Sequence, residues 1–229
     1  MELLEIVKER HSVRSYKDKK IEDNVVSELM TFIEACNKES GLHIQLVLNE
    51  TKAFSGAKAH YGKFSGVSNY IAIVGDKNRK MDEVSGYFGE KVVIKAQELG
   101  LNSCWVALTF DKIKNAFQIN PGEKLYIVIA LGHGTTSGVQ HKSKEKTTVA
   151  KVKKDAPSWF WNGVEYALLA PTAMNQQKFS FTFDGNKIIA KAGIGFYTKL
   201  DLGIVKYHFE LGAGMENFVW DGTTKKGWL

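Results

Sequence analysis

The chain has 229 residues, a net charge of +6, 44% hydrophobic residues and only three prolines. That length suits one large domain or two closely packed halves and buries about three quarters of the unfolded surface, while the apolar content and the few prolines argue against a disordered chain. No run of about eighteen apolar residues stands in the sequence, and no basic stretch followed by an apolar one opens it, so neither a transmembrane helix nor a signal peptide is expected and a cytoplasmic protein is. The two cysteines, Cys36 and Cys104, lack metal-type spacing and read as reduced core thiols.

Residues 2–9 predict a short helix with Leu3, Leu4, Ile6 and Val7 on its apolar side. A polar, basic turn follows at Arg10-His11-Ser12-Val13-Arg14-Ser15-Tyr16, then a link bearing Lys17, Lys19 and Lys20. Residues 22–36 place Val25, Val26, Leu29, Met30, Ile33 and Cys36 near helical spacing. Ile44 to Leu48 alternates as a strand, and Tyr70 to Val74 is a continuous apolar run closed by Gly75, as a buried strand would be. The strongest helix spans 82–99, with Val84, Tyr87, Phe88, Val92, Ile94, Ala96 and Leu99 as core positions and Gly100 as its stop. Cys104 to Leu108 is a short apolar segment, 111–117 reads as a small helix, and Leu125 to Leu131 as another buried strand ending at Gly132-His133-Gly134. A mobile, lysine-rich stretch is expected over about 135–155, carrying Lys142, Lys144, Lys146, Lys151, Lys153 and Lys154.

From Pro157 the pattern restarts. A helix carries Trp159, Phe160, Val164, Ala167 and Leu168 with proline in its first turn, and Phe179 to Phe183 then alternates as a strand. The first half has the same order, a helix reaching Ala35-Cys36 and then the strand from Ile44. Glu98-Leu99-Gly100, closing one helix, recurs as Glu210-Leu211-Gly212, closing another. Two matched elements in one order predict a duplicated architecture with a shorter second copy.

Few groups in the chain point to chemistry. Two arginines and a serine within residues 10–14 can present guanidinium forks and a hydroxyl to a phosphate, with Lys142 and Lys144 as a second basic pair; a solvated loop is the plain alternative. The loop Ala170-Pro171-Thr172-Ala173-Met174-Asn175-Gln176-Gln177 offers amide groups to a planar heterocycle, although its composition alone equally describes an ordinary polar turn. No dinucleotide fingerprint, P-loop or serine elbow is present, and the six histidines lack ligand spacing, so no metal is expected. His208 reads as a satisfied core histidine, and Trp159, Trp161, Trp220 and Trp228 as core or rim aromatics. The lysine run at 142–154 contains no aromatic residue, which argues against a nucleic-acid surface.

Together these segments resemble the nitroreductase family of FMN-dependent flavoproteins. Residues 10–16 are similar to its opening arginine–serine motif, and 170–179 to its Ala-Pro-Ser loop ending near an Asn-x-Gln. Glu98-Leu99-Gly100-Leu101-Asn102-Ser103-Cys104-Trp105-Val106 is similar to its helix-to-strand segment, and His141-Lys142-Ser143-Lys144 to its closing basic pair. The resemblance implies an α+β, nitroreductase-like fold with mixed or antiparallel sheets flanked by helices. It implies FMN held by Arg10, His11, Ser12, Arg14, Lys142 and Lys144 at the phosphate and ribityl end. Backbone groups of Val106, Ala107 and Leu108, and the loop residues Pro171, Thr172, Ala173 and Asn175, would hold the ring. The flavin carries the chemistry, so no catalytic side chain is implied, and electrons pass from NADH or NADPH to a small planar acceptor. Flavin storage or sensing without turnover is the alternative, favoured if Lys178, Trp159 and Trp161 close the ring face. Ordinary members have the Ala-Pro-Ser loop after their first helix, where this chain reads Ala35-Cys36-Asn37-Lys38-Glu39, and Lys178 stands where they have proline. The loop's place in the second half instead resembles the branch named putative TM nitroreductases, an internally duplicated pseudo-dimer. Residues 1–150 would supply the phosphate side and 151–229 the ring loop, completing the site in one chain, as a monomer or non-obligate dimer, with no nucleic-acid or membrane partner.

Overall fold

The computed structural model describes residues 3–78, 80–152, 155–185 and 187–221. It divides into two compact units, neither continuous in sequence: the first holds Glu9–Met81 and Lys91–Val139, the second Glu2–Lys8, Asp82–Glu90 and Gln140–Leu229. Lys153, Lys154 and Trp228 lie outside the described residues.

In the first unit, helix α2 (Asp23–Ser40) precedes strand β1 (His43–Val47), a short helix α3 (Ala57–Tyr61) and strand β2 (Asn69–Asp76); strands β3 (Asn102–Val106) and β4 (Glu123–Gly132) follow. α2 runs four residues past its expected end and stops where Gly41 turns left-handed at φ 70, its amide bonded back to Asn37. Of its predicted core positions Leu29, Ile33 and Cys36 are buried, whereas Met30 is exposed. The sheet is antiparallel, in the order β1-β2-β4-β3. Its two central strands are the continuous apolar runs, because a central strand covered on both faces has no side to leave polar. One face, through Tyr70, Ala72, Cys104, Val106, Val128 and Ala130, packs on Val13, Tyr16, Phe54 and Phe64.

The segment expected as a helix at 111–117 is irregular, with a turn at 114–115 and a bend at 116–117. Asn115 lies at φ 63, and the Asp111 amide bonds to the Ala53 carbonyl. Phe110, Ile113, Ala116 and Phe117 all pack on the core cluster from this irregular backbone, which mimics helical spacing.

The second unit contains most of helix α1 (Leu3–Glu9) and the Asp82–Glu90 portion of helix α4 (Met81–Glu98). It also holds α5 (Lys146–Val149), β5 (Ala150–Val152), α6 (Ser158–Ala167), β6 (Phe179–Asp184), β7 (Lys187–Ala192), α7 (Thr198–Ala213) and β8 (Val219–Trp220). Its sheet has the order β5-β6-β7-β8 and is mixed: β6 and β7 are antiparallel, while β5 and β8 join parallel. The stretch expected to be mobile therefore carries α5 and β5, anchored where Val149 and Ala150 are buried. Pro157 sits at the N-cap of α6, one position before the first turn.

The core of this unit is aromatic, with Phe181 and Phe209 ring centroids 4.6 Å apart and Phe160 5.9 Å from Phe209. α4 and α7 cross at two glycines. A Cβ at Gly86 would overlap the Leu200 carbonyl oxygen, and one at Gly203 the Glu83 carbonyl oxygen. Each glycine thus meets the carbonyl three residues before the other, as in a contact repeated across a two-fold axis. His208 and Glu90, both fully buried, meet at 2.8 Å, and the Glu210 carboxylate accepts from Tyr87 and Trp220, each at 2.6 Å.

The architecture is α+β, two sheets flanked by helices. No helix among the described residues is long and apolar enough to cross a membrane.

Candidate functional site

Within the first unit, residues 10–16 form an extended segment rather than a turn. It is laid against three neighbours by backbone hydrogen bonds. The Val13 amide donates to the Ser103 carbonyl at the start of β3 (3.0 Å), and the Tyr16 amide to the Ser65 carbonyl (3.0 Å), while the Ser65 amide returns to the Arg14 carbonyl (3.0 Å). The Lys17 amide donates to the His133 carbonyl (2.8 Å) and the Thr135 amide to the Ser15 carbonyl (2.9 Å). Val13 and Tyr16, three residues apart, are both buried, a spacing that strand alternation would not give, and Tyr16 donates its hydroxyl to the Val13 carbonyl at 2.7 Å. Arg10 is buried and Arg14 exposed.

The positive field of this corner is legible in its neighbours. Burial raises the Cys104 thiol above its ordinary range, and the charges of Arg14 and Arg10 both work against that rise. His11 Nδ1 lies 3.3 Å from the Ser137 carbonyl, so it carries the proton. His11 Nε2 is buried and has no hydrogen-bond partner among the described residues. A buried nitrogen without a partner is costly unless a ligand meets it. At the end of β3, Val106 is buried, and Ala107 and Leu108 continue in an open bend with the Leu108 side chain exposed.

Within the second unit, the loop 170–177 and the segment 141–144 are bonded to one another. Gln177, buried, is the hub. Its Oε1 accepts from the Lys144 amide (2.8 Å), and its Nε2 donates to the Lys142 carbonyl (2.8 Å) and to Asn175 Oδ1 (2.7 Å). Asn175 Nδ2 also donates to the Lys142 carbonyl (2.9 Å). Lys144 Nζ donates to the carbonyls of Gln176 (2.8 Å) and Gln177 (3.0 Å), so its charge serves the loop, whereas Lys142 extends an exposed side chain. Pro171 is buried, Thr172 and Ala173 are half-buried, and Asn175 is exposed.

One further residue belongs to this cluster. Asp201, in the first turn of α7, is only 3% exposed, accepts the Ala173 amide at 3.0 Å and Gln176 Nε2 at 2.8 Å, and is pushed up to about 6 by burial, which those two donors only partly oppose. Trp159, considered as a cover for a ring, stacks instead on Phe218 at 5.7 Å within the aromatic core.

The four segments singled out in the sequence thus fall into two bonded pairs. Residues 10–16 join the 98–106 segment in the first unit, and 141–144 joins 170–177 in the second.

The chain belongs to the "Putative TM nitroreductase" family, whose model matches residues 2–213. No curated protein sequence matches it. Among solved structures it is similar to a putative nitroreductase from Thermotoga maritima, 22% identical, with 95% of this chain and 87% of that one covered and a TM-score of 0.68. It is also similar to a putative nitroreductase in complex with FMN from Desulfovibrio desulfuricans (14% identical, 69% and 99% covered, TM-score 0.50). A third is a putative NADH dehydrogenase/NAD(P)H nitroreductase from Parabacteroides distasonis (17% identical, 64% and 95% covered, TM-score 0.52). At such identities these structures establish a shared, nitroreductase-like fold.

Proposed function

We propose that this chain is a cytoplasmic, FMN-dependent oxidoreductase passing electrons from NADH or NADPH to a small planar acceptor such as a quinone or nitroaromatic. The observation that carries the proposal is the pairing just described: segments singled out in the sequence are bonded in twos inside a member of a nitroreductase family. The residues present suit the cofactor. Arg10 and Arg14 place positive charge beside Ser12, and the buried His11 Nε2 suits a partner such as a ribityl hydroxyl. These four residues hold the phosphate and ribityl end, with Lys142 adding an exposed ammonium and Lys144 bracing the loop behind it. Pro171, Thr172, Ala173 and Asn175 line the ring edge, and the backbone of Val106, Ala107 and Leu108 its other contacts.

Bound FMN supplies two-electron redox chemistry. The protein supplies position and field, and no side chain acts as nucleophile.

We read residues 1–150 and 151–229 as two nitroreductase-like halves in one chain, the first holding phosphate and the second the ring loop, needing no second subunit. Two observations support this. The Gly86–Gly203 crossing is reciprocal, as corresponding helices of two copies would make it. The Desulfovibrio desulfuricans nitroreductase, taken almost whole, covers 69% of this chain and leaves the rest for a second, shorter half.

The test is the absorption spectrum of the purified protein, before and after incubation with FMN, followed by NAD(P)H consumption with a quinone or a nitroaromatic. Flavin bands with turnover are expected. A protein that stays colourless refutes the proposal, and a yellow one inert to both nicotinamides is a storage or sensor protein instead.

A further inference from the structure

The loop at 170–177 holds a costly conformation. Met174, Asn175 and Gln177 all sit in the left-handed region, at φ 52, 51 and 45, where side-chain-bearing residues are disfavoured. Such strain persists only where surrounding contacts over-determine it. Packing does not supply them at Met174, whose side chain is 81% exposed. Two anchors remain, the Gln177 hub and Asp201.

Asp201 grips the other side of the loop from Gln177. Its Oδ1 takes the Ala173 amide and its Oδ2 takes Gln176 Nε2, which also donates to the Phe196 carbonyl at 2.7 Å. The Phe196 carbonyl fixes which way the Gln176 amide faces, since a flipped amide would set oxygen against oxygen. Asp201 must therefore present an acceptor at both positions, which a carboxylate does and a carboxamide cannot.

We infer that Asp201 is a positioning residue that holds Ala173–Gln176 in the strained conformation presenting Thr172, Ala173 and Asn175 to the flavin ring. The role in flavin binding rests on the function proposed above; the grip on the loop does not. Asp201 acts through the loop and need not touch the cofactor.

Asp201→Asn keeps the volume and one acceptor, and sets a donor against Gln176 Nε2. Gln176→Ala removes one of the two links. Amide hydrogen exchange of the cofactor-free protein reads the loop itself, an FMN titration reads affinity, and the visible band of bound flavin reads the ring edge. We expect Asp201→Asn to lower protection over 172–177 about tenfold, as loss of one hydrogen bond to a charged group would, while α7 and β6 keep theirs. FMN should bind about tenfold more weakly, with a shifted visible band. The double variant should lose less than the sum of the two single variants, because both changes break one shared bond. Unchanged protection in Asp201→Asn, or strictly additive losses in the double variant, would overturn the inference. Should Asp201→Asn fail to fold, Gln176→Ala decides: a smaller loss confined to 172–177 supports the grip, and none refutes it. A wild-type protein that shows these exchange effects in its variants yet binds no FMN refutes the flavin assignment and leaves the grip standing.

Discussion

Two regions of this molecule carry the segments its family resemblance picks out, and they are held in place by opposite means. Residues 10–16 lie in extended backbone, fixed by main-chain bonds to Ser65, Ser103, His133 and Thr135. Residues 170–177 contain three left-handed residues and are fixed by side chains, those of Asn175, Gln176, Gln177, Lys144 and Asp201. A segment zipped by main chain tolerates changes of side chain and fails when a backbone approach is blocked. A loop tied by side chains fails one substitution at a time. The basic corner keeps its shape while its exposed groups vary; the amide loop owes much of its shape to Gln177 and Asp201, which need never meet a ligand.

The largest effect should come from blocking the backbone approach in the first region. Gly66 adopts φ +67, and an added Cβ would overlap the Tyr16 carbonyl oxygen. Gly66→Val combines a left-handed β-branched residue with overpacking against main chain, which no rotamer relieves. The expected cost is about 4 kcal/mol, read as a lower urea midpoint with unchanged slope. Flavin affinity should fall with it. A variant as stable as the parent would mean that the bridge between residues 14–16 and Ser65 does not hold the corner.

The next effect belongs to the second region and depends on pH. Burial raises the Asp201 carboxyl from 3.8 to about 6, so between those values the native protein holds a proton that the unfolded chain has released. The group's contribution is therefore most favourable below about pH 4, declines as pH rises to about 6, and is flat above. The decline amounts to at most about 3 kcal/mol. Asp201→Asn should lack this decline. Denaturation midpoints of parent and variant between pH 4 and 7 check the sign: the difference between them must move in the variant's favour as pH rises.

How far each region was legible follows from the same contrast. Periodicity exposed α2, α4, β1 and β6, and continuous apolar runs exposed β2 and β4, because burial on one face or two writes itself into the order of side chains. β7, Lys-Ile-Ile-Ala-Lys-Ala, was not expected: only Ile188 is fully enclosed, so the strand shows little alternation. β5 and β8 take three and two residues, below what a pattern can register. The basic segment announced its chemistry through residue type, but its extended form is set by Ser65 and Ser103, far away in sequence.

Asp201 passed unnoticed because a lone carboxylate between Leu200 and Leu202 resembles any helix residue facing water. A signal was available. Lys199 marks the solvent side, and at about 100° per residue Asp201 falls roughly opposite it, on the buried face. A charge off the polar stripe of its helix needs donors, and the loop provides them.

A smaller effect is expected at the hub of the amide loop. Gln177→Ala strands the Lys144 amide and removes both donations to the Lys142 carbonyl and Asn175. Leaving this half-buried donor without its partner costs about 1 kcal/mol, visible in urea denaturation, and the loss of protection should spread to 142–144 as well as 172–177.

The smallest effect tests the other side of the comparison. Ser65 Oγ donates to Ser15 Oγ at 3.0 Å on the exposed edge of the basic segment. This is also a side-chain bond inside a candidate site, so residue type alone would rank Ser15→Ala with Gln177→Ala. The main-chain bonds from Tyr16 to Ser65 and from Ser65 to Arg14 run beside it and do not depend on either hydroxyl. Water replaces the lost partner, and the change should lie within about 0.5 kcal/mol with flavin affinity intact. If Ser15→Ala instead costs as much as Gln177→Ala, the first region is tied by side chains after all, and the distinction between the two fails at its weakest bond.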